Sequence, residues 1–460
     1  MYTTRSAWRG LSAGVVTGVI AAMLAGTAIA QGAPPSPLAR TMTLAEVFRM
    51  ISTQPALAAA EARARAARGS RTTARSLGNP MLGYQVVSAS TKSGAPMLDR
   101  EAMATATLPL DALYQWWPRA DRGDAAVRAA LSDVAATRQR VLVEAARAYH
   151  RLGVAQVAVS VSRDLAAWLD SLVSYNRIRV REGVASESDL IRSELERGRA
   201  GATVALMEAD LARARADLAQ FVPDALARGP ALVAVVPDRP MPLPAEAVPG
   251  ANSGRAGDSS ADDPMIAVAL RANPELRAAR ERELAASAGV SLERLSIVRR
   301  ADATVGTKSV GGATALVLGA SLPFPLFDQN RGEIARASGE RDAVREEFQA
   351  VERRVRADVA ASRDAAVVLV ASATELASPG SGGGPQFLQR ADEARRIALG
   401  AYREGGTPLI QLLDVARAWG DAHMTFVQLI AAQRDSVFAL LASLGIDLTS
   451  TPLPLDGSSR

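Results

Sequence analysis

Between residues 409 and 444 the chain repeats its apolar side chains on a seven-residue beat. Leu409, Ala416, His423, Ile430, Val437 and Leu444 form one row, and Leu412, Trp419, Phe426, Gln433 and Leu440 form a second, three residues out of step. Rows spaced in this way lie on one stripe of an α-helix, and so long a stripe needs another helix beside it along its whole length. A shorter version occurs at Val204, Leu211 and Leu218, with Met207, Ala214 and Phe221 as its second row. Each seam lies downstream of an Arg-Glu-Gly, in "VREGVASESDLIRSELER" and in "YREGGTPLIQLLDVARAW". Both triplets close a long helical run, so each marks the tip of a helical hairpin where Gly183 or Gly405 lets the backbone turn. The predicted core of the fold is two antiparallel coiled-coil hairpins.

The rest of the chain is duplicated in the same order. "TLAEVFRMIST" and then "QPALAAAEARARAARGSRTTARSLGNP" correspond to "PMIAVALRANPELRAARERELAASAGVSLERLSIVRR", with Pro55 and Pro274 opening matching helices. Extended pairs follow, at about 81–90 and 101–110 in the first copy and about 300–309 and 313–323 in the second, rich in Val, Thr, Ala and Gly with Pro at their ends. Each reads as a β-hairpin. Leu-Pro then ends the strand, and Arg-Gly-acidic starts a long helix with Asp124 or Glu333 near its positive end. From about Asp121 to Arg181 no Pro intervenes and only Gly123 and Gly153 interrupt, which gives on the order of 90 Å of helix.

These boundaries divide the chain into a leader at 1–30, a first repeat at 31–222 with its tip at about 181–189, and a linker at 223–264. A second repeat at 265–448 follows, with its tip at about 403–411, and then a tail at 449–460. The Pro- and Gly-rich linker is expected to wrap the rod, and "ASPGSGGGPQ" to break the outward helix of the second repeat. Arg5 and Arg9 precede the apolar "LSAGVVTGVIAAMLAG" and the small residues Ala28 and Ala30, the layout of a cleavable secretory signal. No later stretch is long and apolar enough for a spanning helix, so a mature chain that crosses a membrane must do so with strands.

Composition narrows the function classes. Hydrophobic residues make up 48% but aromatics only 4%, which suits Ala-rich helices at close range. The net charge of +5, two units of it in the leader, is spread as Arg interleaved with Glu and Asp, so no nucleic-acid stripe is present. With no Cys, thiol catalysis, disulfides, Cys-ligated metal and a lipid anchor on Cys are excluded. The two histidines, His150 and His423, are separate, and His423 sits on the seam. The Met residues are scattered, and "SVGGATALVLG" lacks the Lys-Ser/Thr of a phosphate loop. Neither an enzyme, a cofactor nor a resident metal is expected.

An exported chain with two copies of helix, β-hairpin, long helix, tip and return helix resembles the TolC-like outer-membrane efflux channels over about residues 40–448. "LPFPLFDQNRGEIARA" is similar to the branch that exports heavy-metal cations, the CzcC/CusC type. The resemblance implies a mainly α fold with a small β part, trimerising into a helical periplasmic tunnel capped by a 12-stranded outer-membrane barrel. It further implies a passive exit duct in outer-membrane lipid, joined through a periplasmic membrane-fusion adaptor to an inner-membrane RND pump. The cargo would be heavy-metal cations, with a multidrug or type I secretion channel of the same fold as the alternative. A periplasmic adaptor or structural coiled-coil protein would explain the seams but not both hairpins.

The resemblance also gives roles to the tips. Asp414 falls where relatives place a carboxylate at the periplasmic aperture, and Gln411 stands where some carry a second. Asp189 and Tyr402 match residues that hold the aperture shut, while Thr407 replaces an Arg that assists them. Gly183, Ser186, Leu190, Gly405, Gly406 and Leu409 would form the adaptor-docking tips. From the residues alone, each of these is equally a solvated, capping or turn residue of a helix tip.

Overall fold

In the computed structural model the duplicated sequence becomes duplicated structure. The described residues are 40–87, 101–222, 232–234, 239–243, 264–297, 301–322, 324–380 and 384–448. The leader, the segment carrying Lys92, most of the linker and the tail lie outside them, and all described residues fall in the unit Ala39–Arg460.

Thr43 opens α1 (Leu44–Met50) through a capping box in which its hydroxyl accepts from Glu46 N and the Glu46 carboxylate accepts from Thr43 N. Its counterpart is α5 (Pro264–Ala272). Next come α2 (Pro55–Arg75) and α6 (Pro274–Leu295), both begun by Pro, with the Asn273 side chain accepting from Glu275 N and Leu276 N ahead of α6. The long outward helices are α3 (Asp111–Arg181) in the first repeat and α7 (Arg331–Leu376) continued by α8 (Gln386–Arg403) in the second. The return helices are α4 (Glu187–Ala219) and α9 (Leu409–Ser443).

Helix α3 is longer than the sequence suggests. It starts at Asp111, not near Asp121, runs through Pro118, Gly123 and Gly153, and at 71 residues spans roughly 107 Å. Asp124 is therefore well inside the helix rather than at its positive end. It accepts from Arg71 Nε at 2.5 Å and Arg75 Nη2 at 2.6 Å, tying α2 to α3. Gly123 explains the close approach of the two helices, because a Cβ there would come within 3.2 Å of the Arg71 Cα.

Ion pairs Arg151–Asp217, Arg163–Glu208, Asp170–Arg197 and Arg177–Glu194 run as rungs between α3 and α4. Exposed pairs of this kind stabilise by only ~0–1 kcal/mol each, so their main consequence is a fixed antiparallel register. The α9 seam is buried at each row position except His423, which is half-buried. The main core gathers Phe48, Tyr149, Leu152, Phe438 and Leu440 with Met241 of the linker. There Phe48 meets Phe438 edge-on at 6.1 Å and the Tyr149 hydroxyl donates to the Met42 carbonyl at 2.7 Å.

The described parts of the linker do lie against the rod. β1 (Arg40–Met42) pairs in parallel with β4 (Leu232–Ala234), and the Gln433 amide bonds both the N–H and the carbonyl of Met241.

The second sheet contains β2 (Met81–Val87), β3 (Glu101–Pro109), β5 (Asp302–Val310) and β6 (Ala313–Ser321), all antiparallel in the order β2-β3-β5-β6. Gly311 and Gly312, at φ 56° and 87°, form the two-residue β5–β6 turn, the type I′ geometry that follows strand twist. Strands β2 and β6 are the edges of this sheet.

Candidate functional site

Two places combine unusual surface chemistry with defined geometry: the four-stranded sheet and the hairpin tips. In the sheet, register sorts residues that look weakly patterned along each strand. Leu82, Tyr84 and Val86 align with Ala106, Ala104 and Ala102, and these align in turn with Val305, Thr307 and Ser309. Val305 and Thr307 face Leu318 and Leu316 across the last pair. One side of the sheet is thus mainly apolar yet open, with Leu82 84% and Leu318 73% exposed. The opposite side is more polar, carrying Gln85, Thr105, Thr107, Thr304 and Gly306 and the Lys308–Glu101 ion pair at 2.9 Å, beside exposed Met81, Val87 and Val310 at its margins. A sheet with one apolar and one polar exposed face can separate a hydrocarbon phase from water. No described helix is long and apolar enough to cross a membrane.

The tips share one stop. Val184 N donates to Arg179 O at 2.9 Å, Gly406 N donates to Ala401 O at 2.8 Å, and the preceding glycines, Gly183 and Gly405, sit at φ +73° and +80°. That is the Schellman arrangement, closed by residues in the left-handed region. Ser186 then caps α4 by accepting from Ser188 N at 3.1 Å, while Pro408 precedes α9.

The tip residues named from sequence separate by burial. Asp414 and Gln411 are exposed on α9, Asp189 and Leu190 are half-buried, and Ser186, Gly405 and Gly406 are exposed. Leu409 departs from its expected place on the tip surface. It is 3% exposed because it packs with Leu169, Leu172 and Leu412 inside the protomer. The exposed apolar groups at the tips are instead Val184, Ile191 and Ile410.

Tyr402 is buried, and its hydroxyl donates to Asn176 Oδ1 of α3 at 2.6 Å. The Arg179 guanidinium lies 5.5 Å from the Tyr402 ring centre and 5.6 Å from that of Tyr175. Burial pushes the Tyr402 hydroxyl above its ordinary 10.0. Arg179 and the Asn176 bond act against that rise, and the Asp189 charge adds to it. Arg179 reaches Tyr402 from another helix, α3. Sequence reading missed both Asn176 and Arg179. Their three-residue spacing in "YNRIRV" places them on one helix face, a weak signal until the partner helix is known.

Asp414 also has company that its position in sequence does not disclose. Arg417 Nη1 is 3.1 Å from its carboxylate, and Arg417 Nη2 donates to Glu196 Oε1 of α4 at 2.6 Å. Farther from the tip, Trp419 Nε1 donates to Asp392 Oδ1 at 2.6 Å, Arg395 lies over the Trp419 ring and His423 is 3.4 Å from Asp392. His150 is buried, 2.6 Å from Asp435 and stacked on Phe438. Among the described residues no group of His, Asp and Glu has the arrangement of a metal site.

Residues 49–222 match the family model of the Outer membrane efflux protein. The chain shares its fold with the solved outer-membrane channel OprN, at 20% identity and TM-score 0.67 over 88% of this chain and 90% of that one. It is likewise similar to CusC, described in connection with transmembrane channel formation, at 12% identity and TM-score 0.68 over 91% and 96%. The open state of the MtrE outer-membrane channel of Neisseria gonorrhoeae aligns at 18% identity and TM-score 0.65 over 88% and 89%. None of the curated proteins matches.

Proposed function

We propose that this chain, TolC-like in fold and matched to the outer membrane efflux proteins over residues 49–222, is the outer-membrane channel subunit of a tripartite efflux system. It is a passive duct rather than an enzyme. The observation that carries the reading is the four-stranded sheet, mainly apolar on one exposed face and more polar on the other, to which each repeat gives the two strands that precede its long helices. Three copies would supply twelve strands and close a barrel with no edge left in lipid. The α3–α4 and α8–α9 hairpins would extend from it as the periplasmic tunnel, with their tips towards an adaptor and an RND pump.

Asp414 and Gln411, exposed on one face of α9, are assigned to the periplasmic aperture, and Asp189 and Tyr402 to its closure. Gly183, Ser186, Leu190, Gly405 and Gly406 are assigned to adaptor docking, with Leu409 acting from beneath as the apolar support of the second tip.

The proposed cargo is heavy-metal cations, a reading supported by "LPFPLFDQNRGEIARA". A duct need not coordinate what it passes, since selection can occur in the pump. A deletion strain and its complemented counterpart, grown on Zn, Co, Cd, Ni, Cu and Ag salts and on antibiotics, dyes and detergents, test the reading. Sensitivity confined to metals is the expected result. Sensitivity confined to organic compounds would replace metal cargo with multidrug cargo, and sensitivity to neither would overturn the efflux function.

A further inference from the structure

The two edges of the four-stranded sheet are internal copies of two strands that pair with each other inside it. Leu108-Pro109 at the end of β3 corresponds to Leu322-Pro323 after β6, so β6 is the copy of β3. Met81 pairs with Thr107 in the first hairpin and Asp302 with Ser321 in the second. Thr107 and Ser321 each directly precede Leu-Pro, so Met81 of β2 is the copy of Asp302 of β5. Strands β3 and β5 meet at the centre of the sheet in a fixed register: Thr107 opposite Thr304, Ala106 opposite Val305, Thr105 opposite Gly306 and Ala104 opposite Thr307. Beyond the strands, Leu110 N donates to Ala301 O at 2.6 Å.

We infer that β6 of one copy pairs with β2 of a second copy in the register that β3 and β5 use within the chain. This rests on the channel reading above and specifies its subunit seam. Ser321 then faces Gly83, Ala320 faces Tyr84, Gly319 faces Gln85 and Leu318 faces Val86, while Phe324 N meets the Pro80 carbonyl.

Two observations independent of the repeat agree. The register joins Leu318 and Ala320 to Val86 and Tyr84, apolar face to apolar face, whereas a one-residue slip would put each apolar side chain on the polar side of the barrel. Exposed apolar residues also stand at one end of this seam, Phe324 79% and Leu326 65% exposed after β6 and Leu77 62% exposed just before β2. Pairing of the two edges brings these groups together.

The test uses the full chain, which has no Cys of its own. Gln85→Cys with Gly319→Cys places thiols at directly opposed positions, within the Cα range of a disulfide. Gly319 can take a Cβ, whose nearest neighbour would be 3.8 Å away. Within one chain the two residues lie on opposite edges, at least about 14 Å apart across the sheet at the usual strand spacing, so the link can form only between copies. Outer-membrane fractions oxidised with diamide should give covalent dimers and trimers on a non-reducing gel. The slipped pairs Gln85→Cys/Val317→Cys and Gln85→Cys/Ser321→Cys should give about tenfold less. Tyr84→Cys/Ala320→Cys, in the same register on the other face, is the second reading if the first variant fails to accumulate. Stronger linkage in a slipped pair would overturn the register and leave the channel standing. Unlinked monomers in every variant would overturn both.

Discussion

Asp124 shows how one carboxylate can fix two helices. Burial alone would raise its pKa, but the hydrogen bonds and charges of Arg71 and Arg75 outweigh that and hold it below the ordinary 3.8. A depressed folded value means that the stabilisation is fully present above the unfolded pKa and is lost as pH falls through the folded one. Asp124→Asn should therefore lower the thermal midpoint of the purified protein at neutral pH, and the gap to wild type should close only below pH 3.8. A gap that closed near pH 6 would mean that the pair is not the cause. Asp414 stands in a different setting, exposed and already facing Arg417. Its removal takes one exposed carboxylate away while Arg417 keeps its bond to Glu196, so Asp414→Ala should lower the cation-to-anion permeability ratio in planar bilayers. An unchanged ratio would take Asp414 out of the aperture. At this scale the turn glycines were legible, because few residues other than Gly adopt positive φ at a helix stop. Asn176 and Arg179 were not, since their meaning comes from Tyr402, which is remote in sequence.

The elements repeat this division between local and distant causes. The heptad rows of α9 are readable because each row position obeys one period, and burial follows that period closely. The start of α3 was misread at the Arg-Gly-acidic stretch; the helix begins at Asp111 and runs through Pro118, which withholds one backbone donor from the ladder without ending it. Strand faces were unreadable for another reason. Ala, Gly and Thr carry little hydropathy, so the apolar side emerges only when four strands are aligned. Tip geometry gives the prediction that belongs here. Nothing lies within 4 Å of a Cβ placed on Gly405, so Gly405→Trp adds bulk outward, at a backbone cost of about 1–2 kcal/mol for the left-handed residue. Export should fail while heat-sensitive trimers remain in the outer-membrane fraction. Normal resistance in that variant would defeat the docking role of the tip.

At the scale of the unit Ala39–Arg460, the long helices bury narrow apolar stripes along their lengths. The family match over residues 49–222 stops short of the second repeat, yet OprN and CusC share the fold across most of both chains. Length and order of elements persist where identities have drifted, because a coiled-coil seam requires period and size more than particular residues. From the sequence alone came the two repeats, the hairpin tips, the seams and the paired strands. All of these depend on interactions close along the chain or on a periodicity that one helix displays by itself. Tertiary structure decided the rest: the extent of α3, the docking of Met241 against Gln433, the pairing of Tyr402 with Asn176, the inward turn of Leu409 and the two faces of the sheet. Each of these joins residues far apart in sequence, and their alignment is set only when the helices and strands pack.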